Sequence, residues 1–463
     1  MIRMTLGLDG KLSDKQIIEA MNHADPIIAE NIQYYTGANP KELAEFNQRE
    51  LKGAQPNNYL QSAYAATLVD CAVGYCGSEI TYSDNIKDDE DATDTMDALT
   101  PIHYYNNNDV LSMKVFTQQL AAGVSYKIHW VDKTEGNRYM MDTLDPMTCW
   151  PVYDYELGSN LIAFIYKSES GIKDEQKISV YYNDFTDTFQ YKDTKLNFIK
   201  SMPNDYAPNI PVAIYYNSFN KGEIVSLFQN VKTLINAKDC ILRGNWNEID
   251  KGIQAILLHY AEIKAEDIHD MKERQNWQVG LEDLQNMRYL MKTIQWEYQK
   301  FFNDVITQEI HKAAHIVDFY NPETGVGTPQ SGKALRYRLI DMDTRCKMFE
   351  MFNRSGEYQS LKLLQNINAI PAGSLNMITV NYKHNIPEDF YENLDAYNRD
   401  TLLSKRTKYE MLGLDPEVEQ ARLDDEKEES VDGILNGMEK PAFESDPADM
   451  GEDKQDEQVE NAD

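Results

Sequence analysis

The sequence predicts an α+β fold organised on two long helices that bracket a small insert and lead into a polar loop. Three observations predict it. Apolar residues recur at three- and four-residue steps from Ile224 to Ile253 and again from Leu284 to Ile310. Between Gly123 and Tyr216 the pattern switches to short β runs broken by Asp, Asn, Gly and Lys turns. The segment Asp318–Gln330 then gathers Asn, Pro, Gly and Thr before a further helical stretch.

Taken in order, Asp14–Tyr35 reads as one helix on Ile17, Ile18, Met21, Ile27 and Ile28, ending at Tyr34-Tyr35-Thr36-Gly37. Gln55-Pro56-Asn57-Asn58-Tyr59 is a turn into a second helix, Leu60–Gly74. The acidic run Asp84–Asp97 reads as a solvated loop, and Asn108–Ala122 as a helix. The β runs are Ser125–Val131, Thr148–Tyr153, Leu161–Ser168, Lys177–Tyr182 and Thr188–Lys192, with Asn209–Tyr215 as a last strand. A helix from Glu223 to Ile253 carries the stripe Leu227, Val231, Leu234, Ile241, Trp246 and Ile249. At 1.5 Å per residue it makes a rod of roughly 45 Å. A second helix, about Glu282 to Val317, carries Met287, Met291, Ile294, Tyr298, Phe301, Phe302 and Ile306. The insert between them holds a short apolar strand, Ala255–His259, a charged segment, and Trp277-Gln278-Val279. A helix follows from near Ser331 to about Gly356, with helical segments to Asn368. Then come a strand at Met377–Tyr382 and a helix over Pro387–Leu412. Pro441–Asp463 holds nine acids against one lysine and is expected to be disordered.

The chain has 463 residues and a net charge of −31. Such an acid surplus argues against an ordinary phosphate-gripping protein, because Lys and Arg are what displace nucleic-acid counterions. It does not exclude a protein that must let DNA pass without sticking. The 29 tyrosines against 15 phenylalanines suit interfaces that are part wet and part buried. No stretch reaches the apolar length of a membrane span, and Met1–Lys15 has no apolar signal core. The five cysteines, Cys71, Cys76, Cys149, Cys240 and Cys346, are odd in number and form no Cys-x-x-Cys pair. Neither a disulfide framework nor a zinc cluster is indicated, and a reducing cytosol is the expected setting.

Gly327-Thr328-Pro329-Gln330-Ser331-Gly332-Lys333 satisfies the start of a P-loop. Ala334 follows where the motif needs a Ser or Thr hydroxyl for magnesium. A helix, not a strand, precedes it, and Pro329 removes one N–H that should cradle phosphate. The alternative of a P-loop ATPase on Gly327–Lys333 therefore lacks its context, and a loop with Ser331 as helix N-cap is the plainer reading. His311 and His315 share a helix face, but Lys312 follows where a zinc protease has Glu, and no third ligand is evident. Asp88-Asp89-Glu90-Asp91 lacks the spaced oxygens and Gly of a calcium loop. No nucleophile elbow appears. The chain reads as a structural subunit with no catalytic residue, no metal and no cofactor. The long apolar stripes exceed what two helices can bury, which points to further copies or to other domains covering them.

Several segments together resemble the portal proteins of tailed bacteriophages, the SPP1-like class of siphophages of Gram-positive hosts. They are Tyr34-Tyr35-Thr36-Gly37, Gln55-Pro56-Asn57-Asn58-Tyr59, Val69-Asp70-Cys71-Ala72-Val73-Gly74-Tyr75, Asn209-Ile210-Pro211-Val212 and Ser331-Gly332-Lys333-Ala334-Leu335. Asn385-Ile386-Pro387, Leu402–Thr407 and Asp415–Glu419 complete the series, which covers roughly residues 15–430. Glu79 departs from the pattern, where the family has a Lys-Pro ending.

The resemblance implies a portal fold: wing 1–222, first stem helix 223–253, clip 254–281, second stem helix 282–317 and tunnel loop 318–330. A long helix returning to the wing, 331–386, a helical crown, 387–430, and an acidic tail, 431–463, follow. It implies a ring, usually of twelve copies, at one capsid vertex of the virion, assembled in the host cytoplasm. Double-stranded DNA would be packaged and ejected through its channel without sequence-specific contact. Partners would be the terminase large subunit, the head–tail adaptor, and the major capsid and scaffold proteins, with no membrane. Another phage ring or adaptor scaffold is the alternative. DNA-channel residues would be Asn321, Glu323, Thr324, Thr328, Gln330, Ser331, Lys333, Arg336 and Arg338. The last three equally fit a solvated or intersubunit salt-bridged helix face. Docking residues of the clip would be Tyr260, Glu262, Lys264, Glu266, Asp267, Lys272, Arg274 and Trp277.

Overall fold

A computed structural model describes residues 1–23, 26–51, 57–76, 79–84, 90–134, 136–169, 171, 175–253, 256–259, 287–290, 296–319, 332–384, 404–411, 416 and 418–423. The chain divides into two compact units, Met1–Ile386 and Pro387–Asp463.

The first unit opens with strand β1 (Ile2–Arg3) and four helices: α1 (Asp14–Asn22), α2 (Pro26–Tyr35), α3 (Pro40–Leu51) and α4 (Tyr64–Cys76). Where one helix was expected over 14–35 there are two. Ser13 caps α1 in a capping box with Gln16, and Pro26 stands at the first position of α2, where its missing N–H costs nothing. Strand β2 (Glu79–Asp84) leads to α5 (Glu90–Tyr105) and α6 (Asn108–Ala122). Half of the acidic run expected as loop is thus the start of a helix, the end at which acidic residues suit the helix dipole.

The β region is β3 (Val124–Asp132), β4 (Arg138–Leu144), β5 (Cys149–Tyr153), β6 (Leu161–Glu169), β7 (Gln176–Tyr181), β8 (Phe185–Lys192), β9 (Lys195–Pro203) and β10 (Val212–Tyr216). One six-stranded sheet runs β1-β5-β6-β7-β8-β9, antiparallel except for β1 on β5. Ile17, Ala20, Val152, Ile165, Ile178 and Val180 bury its α1 face. A three-stranded sheet runs β10-β3-β4.

Helix α7 (Lys232–Ile253) follows a short 3-10 turn at Gln229–Val231. It begins later than the Glu223 expected, because the preceding residues are held elsewhere: Leu227 N–H donates to Leu120 O at 2.8 Å, and Asn217 Nδ2 donates to Val225 O at 2.8 Å. Gly123, at φ +91, permits this approach, since a Cβ there would lie 2.7 Å from Val225 N. Strands β11 (Ile256–His259) and β12 (Met287–Leu290) pair antiparallel. Residues 287–290 were expected inside the second long helix; their non-local pairing with β11 overrides a periodicity that short apolar runs share. Helix α8 therefore spans Trp296–Ala314. It returns alongside α7, with Lys238 Nζ reaching Asn303 Oδ1 and Thr307 Oγ1.

Helix α9 (Gly332–Asn366) is 35 residues long, or roughly 50 Å. Strand β13 (Ile378–Lys383) pairs antiparallel with β2. Leu68, Ala72, Phe116, Leu120, Phe228, Ile235, Ile306, Ile310, Met342 and Phe349 join α4, α6, α7, α8 and α9 in one core. In the second unit, α10 (Lys405–Met411) is capped by Ser404, whose Oγ accepts from Thr407 N–H at 3.2 Å. Among the described residues no helix is long and apolar enough to cross a membrane.

Candidate functional site

Residues 320–331, the polar segment, are outside the described residues, so the site is defined by its two shoulders. The first is the end of α8. His315, at φ +58, closes the helix, and Ile316 N–H returns to His311 O at 3.1 Å. His311 is buried: Nδ1 lies 2.9 Å from Ile316 O and Nε2 3.3 Å from Tyr64 Oη. Burial, then the Asp318 carboxylate, pushes the Tyr64 phenol up. Lys238 stands over the Tyr64 ring at 4.6 Å, its ammonium made a stronger acid by burial. The second shoulder is the start of α9, where Asp341 Oδ2 meets His315 Nδ1 at 2.9 Å.

Between the shoulders lies an open cleft of about 340 Å³, walled by His311, Lys312, His315, Asp318, Arg338 and Asp341. Two cations, Lys312 and Arg338, and two carboxylates, Asp318 and Asp341, are among its lining residues. Lys312 and Arg338 can meet a phosphate as point charges, while Asp318 and Asp341 offset them. Such a surface can touch a polyanion without gripping it. The two histidines do not converge on one ion: His311 turns to a backbone carbonyl and His315 to Asp341. Among the described residues no group of His, Cys, Asp or Glu could hold a metal.

Of the residues singled out from sequence, Arg338 is exposed at the cleft, and Lys333 and Arg336 lie in the first turns of α9. Asn321, Glu323, Thr324, Thr328, Gln330 and Ser331 fall outside the described residues, as do Tyr260, Glu262, Lys264, Glu266, Asp267, Lys272, Arg274 and Trp277. Upstream of Gly327 stands α8, a helix, where a P-loop needs a strand.

Three polar constellations escaped the sequence reading. The first anchors α9. Lys127 Nζ lies 3.1 Å from both carboxylate oxygens of Glu357, with Tyr215 donating to Oε1 at 2.9 Å and Tyr82 to Oε2 at 3.1 Å. Burial alone would raise the Glu357 carboxyl, but the Lys127 ammonium and the hydrogen bonds hold it below its usual range. Burial, with Lys127 nearby, pushes His103 down to about 4 and His129 well below its normal value. The alternation Lys127-Ile128-His129 in an apolar strand was a signal; the acid 230 positions away was not.

The second constellation docks α7 on the N-terminal helices. Lys232 meets Glu30 at 3.0 Å, and Asn236 accepts from Tyr34 and Asn39 at 2.8 Å. Asp239 accepts from Asn39 at 2.9 Å and from Ser62 N–H at 2.9 Å and its hydroxyl at 2.6 Å. Arg243 meets Glu45 at 2.9 Å, and Asn247 accepts from Asn58 N–H at 2.9 Å. These positions recur at helical steps, as the apolar stripe does. In the third, His384 Nδ1 meets Asp343 at 2.7 Å and Nε2 meets Glu350.

The long helices also leave apolar surface uncovered. Trp246 and Ile249 on α7, Tyr298, Phe301 and Phe302 on α8, and Tyr337, Ile340 and Met351 on α9 are exposed. Tyr298 and Phe302 stack at 6.3 Å with nearly parallel planes.

A family model described as "Phage portal protein, SPP1 Gp6-like" matches residues 14–433. A search among curated proteins found no match. Among solved structures, the chain is similar to one from "Neck of empty GTA particle computed with C6 symmetry", with 13% identity and a TM-score of 0.42 over 76% of this chain and 90% of that one.

Proposed function

The chain belongs to the SPP1 Gp6-like family of phage portal proteins, and from that premise we propose that it is the ring subunit of a capsid vertex through which double-stranded DNA is packaged and ejected. The family match over residues 14–433 carries the reading. No enzymatic family is indicated.

The parts take the following roles in this proposal. Residues 1–222 form the wing. Helices α7 and α8 form the stem, the insert between them with its β11–β12 pair the clip, and residues 318–330 the tunnel loop. Helix α9 returns the chain to the wing, residues 387–430 form the crown, and 431–463 the acidic tail. The exposed aromatic and aliphatic side chains of α7, α8 and α9 support a multi-subunit ring, since apolar surface in this amount gains most from being covered by further copies. Twelve copies would close it. The cleft of balanced charge at the loop shoulders supports a channel wall that DNA slides past. The clip, with Trp277 as its aromatic anchor, would dock the terminase large subunit and the head–tail adaptor, and the outer surface would meet scaffold and capsid proteins. The product belongs in the virion and assembles in the host cytoplasm.

The test is assembly. Purified full-length chain, alone or with its scaffold and capsid proteins, should give closed rings with a central hole by negative-stain microscopy and native mass spectrometry. Phe301→Asp and Tyr298→Asp should lower ring yield without unfolding the subunit. A chain that forms only monomers or open filaments under all these conditions overturns the proposal.

A further inference from the structure

The six-stranded sheet ends in two unlike edges. One is β9, with eight of its nine residues exposed. Phe198, Ile199 and Met202 are 57%, 55% and 46% exposed. A register shift opposite Thr188/Phe189 sets Phe198 against Phe189 and Lys200 against Thr188, leaving Ile199 as the extra, unpaired residue. The strand enters from a tight turn, Asp193-Thr194, with both φ positive. Lys195 and Lys200 lie along it, against Asp193 as the one acid between Thr188 and Pro203. A nine-residue edge strand with outward apolar side chains offers free backbone donors and acceptors to another chain.

At the other end of the same sheet, beside β1, sits the turn joining β5 to β6. It reads Asp154-Tyr155-Glu156-Leu157, acid alternating with apolar. Tyr155 is 66% and Leu157 106% exposed. The turn is built, not slack: Asp154 accepts from Asn160 N–H at 2.8 Å, Asn160 Nδ2 at 2.9 Å and Glu156 N–H at 3.2 Å, and Tyr155 Oη donates to Arg3 O at 2.9 Å. The turn joins the second and third strands of the sheet, so it lies three to four strand spacings from β9, roughly 14–19 Å.

We infer that β9 of one copy receives the Asp154–Leu157 turn of the next copy, so that the sheet edge is a subunit contact. The complementarity is double. Basic residues on β9 face the acidic ones of the turn, and each patch carries exposed apolar side chains between its charges. The two patches are different surfaces of one molecule, so the contact is head-to-tail, the kind that repeats and closes into a ring. The exposed apolar side chains of the two patches would supply affinity, and the charges would set the orientation. The inference rests on the ring reading above and adds to it a contact far from the long helices.

The experiment uses the full chain and reads ring yield by native mass spectrometry. Lys195→Glu with Lys200→Glu should cut closed rings at least tenfold, and adding Glu156→Lys should recover most of the loss. In a Cys240→Ser background, Ile199→Cys with Leu157→Cys should give an oxidised ladder of multimers, while either cysteine alone gives none. Wild-type yield from the double charge reversal, together with no ladder, overturns this contact and leaves the ring reading standing. Normal rings that have lost binding to another capsid component overturn the choice of a second copy as occupant. A wild-type chain that never closes a ring overturns both.

Discussion

Replacing Lys127 by Met removes one partner from the buried pair that fastens α9 to the sheet β10-β3-β4. The side chains of Lys127 and Glu357 are 1% and 2% exposed, and the ammonium lies 3.1 Å from the carboxylate. At that separation, with an effective dielectric near 20, the attraction is about 5 kcal/mol. Without it, Glu357 keeps only the Tyr215 and Tyr82 hydroxyls. The expected loss is about 3–5 kcal/mol, the usual cost of an uncompensated buried charge. A pH signature follows. In the wild type the Glu357 carboxyl is depressed in the fold, so its stabilisation is present above the ordinary Glu range and lost as pH falls through the folded value. In Lys127→Met burial raises it instead, so the variant loses stability as pH rises. The gap between the two proteins should therefore widen from about pH 4 to pH 7. Urea unfolding of the monomer, followed by tryptophan fluorescence, measures both quantities. Adding Glu357→Gln to Lys127→Met should return at least about 2 kcal/mol as a coupling energy. A loss below about 1 kcal/mol, or a gap that does not change with pH, would refute the reasoning.

Gly356→Ala should destabilise by about 1–3 kcal/mol in the same assay, because a Cβ at Gly356 would stand 2.2 Å from the Tyr215 ring, where two packed elements must part. Asp239→Ala strands the donors of Asn39 and Ser62, and should cost about 2–3 kcal/mol; Asp239→Asn, which keeps an acceptor, should cost clearly less. His384→Gln should flatten the acid limb of the stability curve. Despite its burial, the Asp343 carboxyl is held low by Lys347 and His384, so its stabilisation is lost as pH falls through its folded value, and removing His384 shrinks that loss. Thermal unfolding across an acid pH series reads the difference.

Much of this architecture could be read from the chain. Helix α6 lies where its period and Gly123 set it, and five of the β runs fall within a few residues of their place. These elements have local signals: caps, turn residues and a clean period. Strands β4 and β9 were missed. Arg138–Leu144 carries mixed polarity, and β9 faces solvent on both sides, so neither alternates apolar with polar. The 287–290 strand went unseen because β11, its partner, lies about thirty residues away. The cleft was legible in part, through Arg338. Its other walls, His311 paired to a carbonyl and His315 to Asp341, depend on how α8 ends and α9 begins. Buried ion pairs are least legible of all, since a Lys in a strand and a Glu in a helix look solvated until the fold joins them.

The docking of α7 on the N-terminal helices has a mechanical consequence. Its five contact positions, from Lys232 to Asn247, are matched one by one to Glu30, Tyr34 and Asn39, Ser62, Glu45 and Asn58. Oil-like surfaces glide over one another at little penalty, because any apolar neighbour serves as well as the last. A matched polar set does not. Sliding by one turn would bring Lys232 to the place of Asn236 and lose every pairing together. Parting the surfaces sideways, by contrast, lets water replace each partner in turn. The joint is therefore stiff along the helix axis and compliant across it. A force pushing along α7 would pass to the N-terminal helices, while a lateral one would be absorbed at the seam.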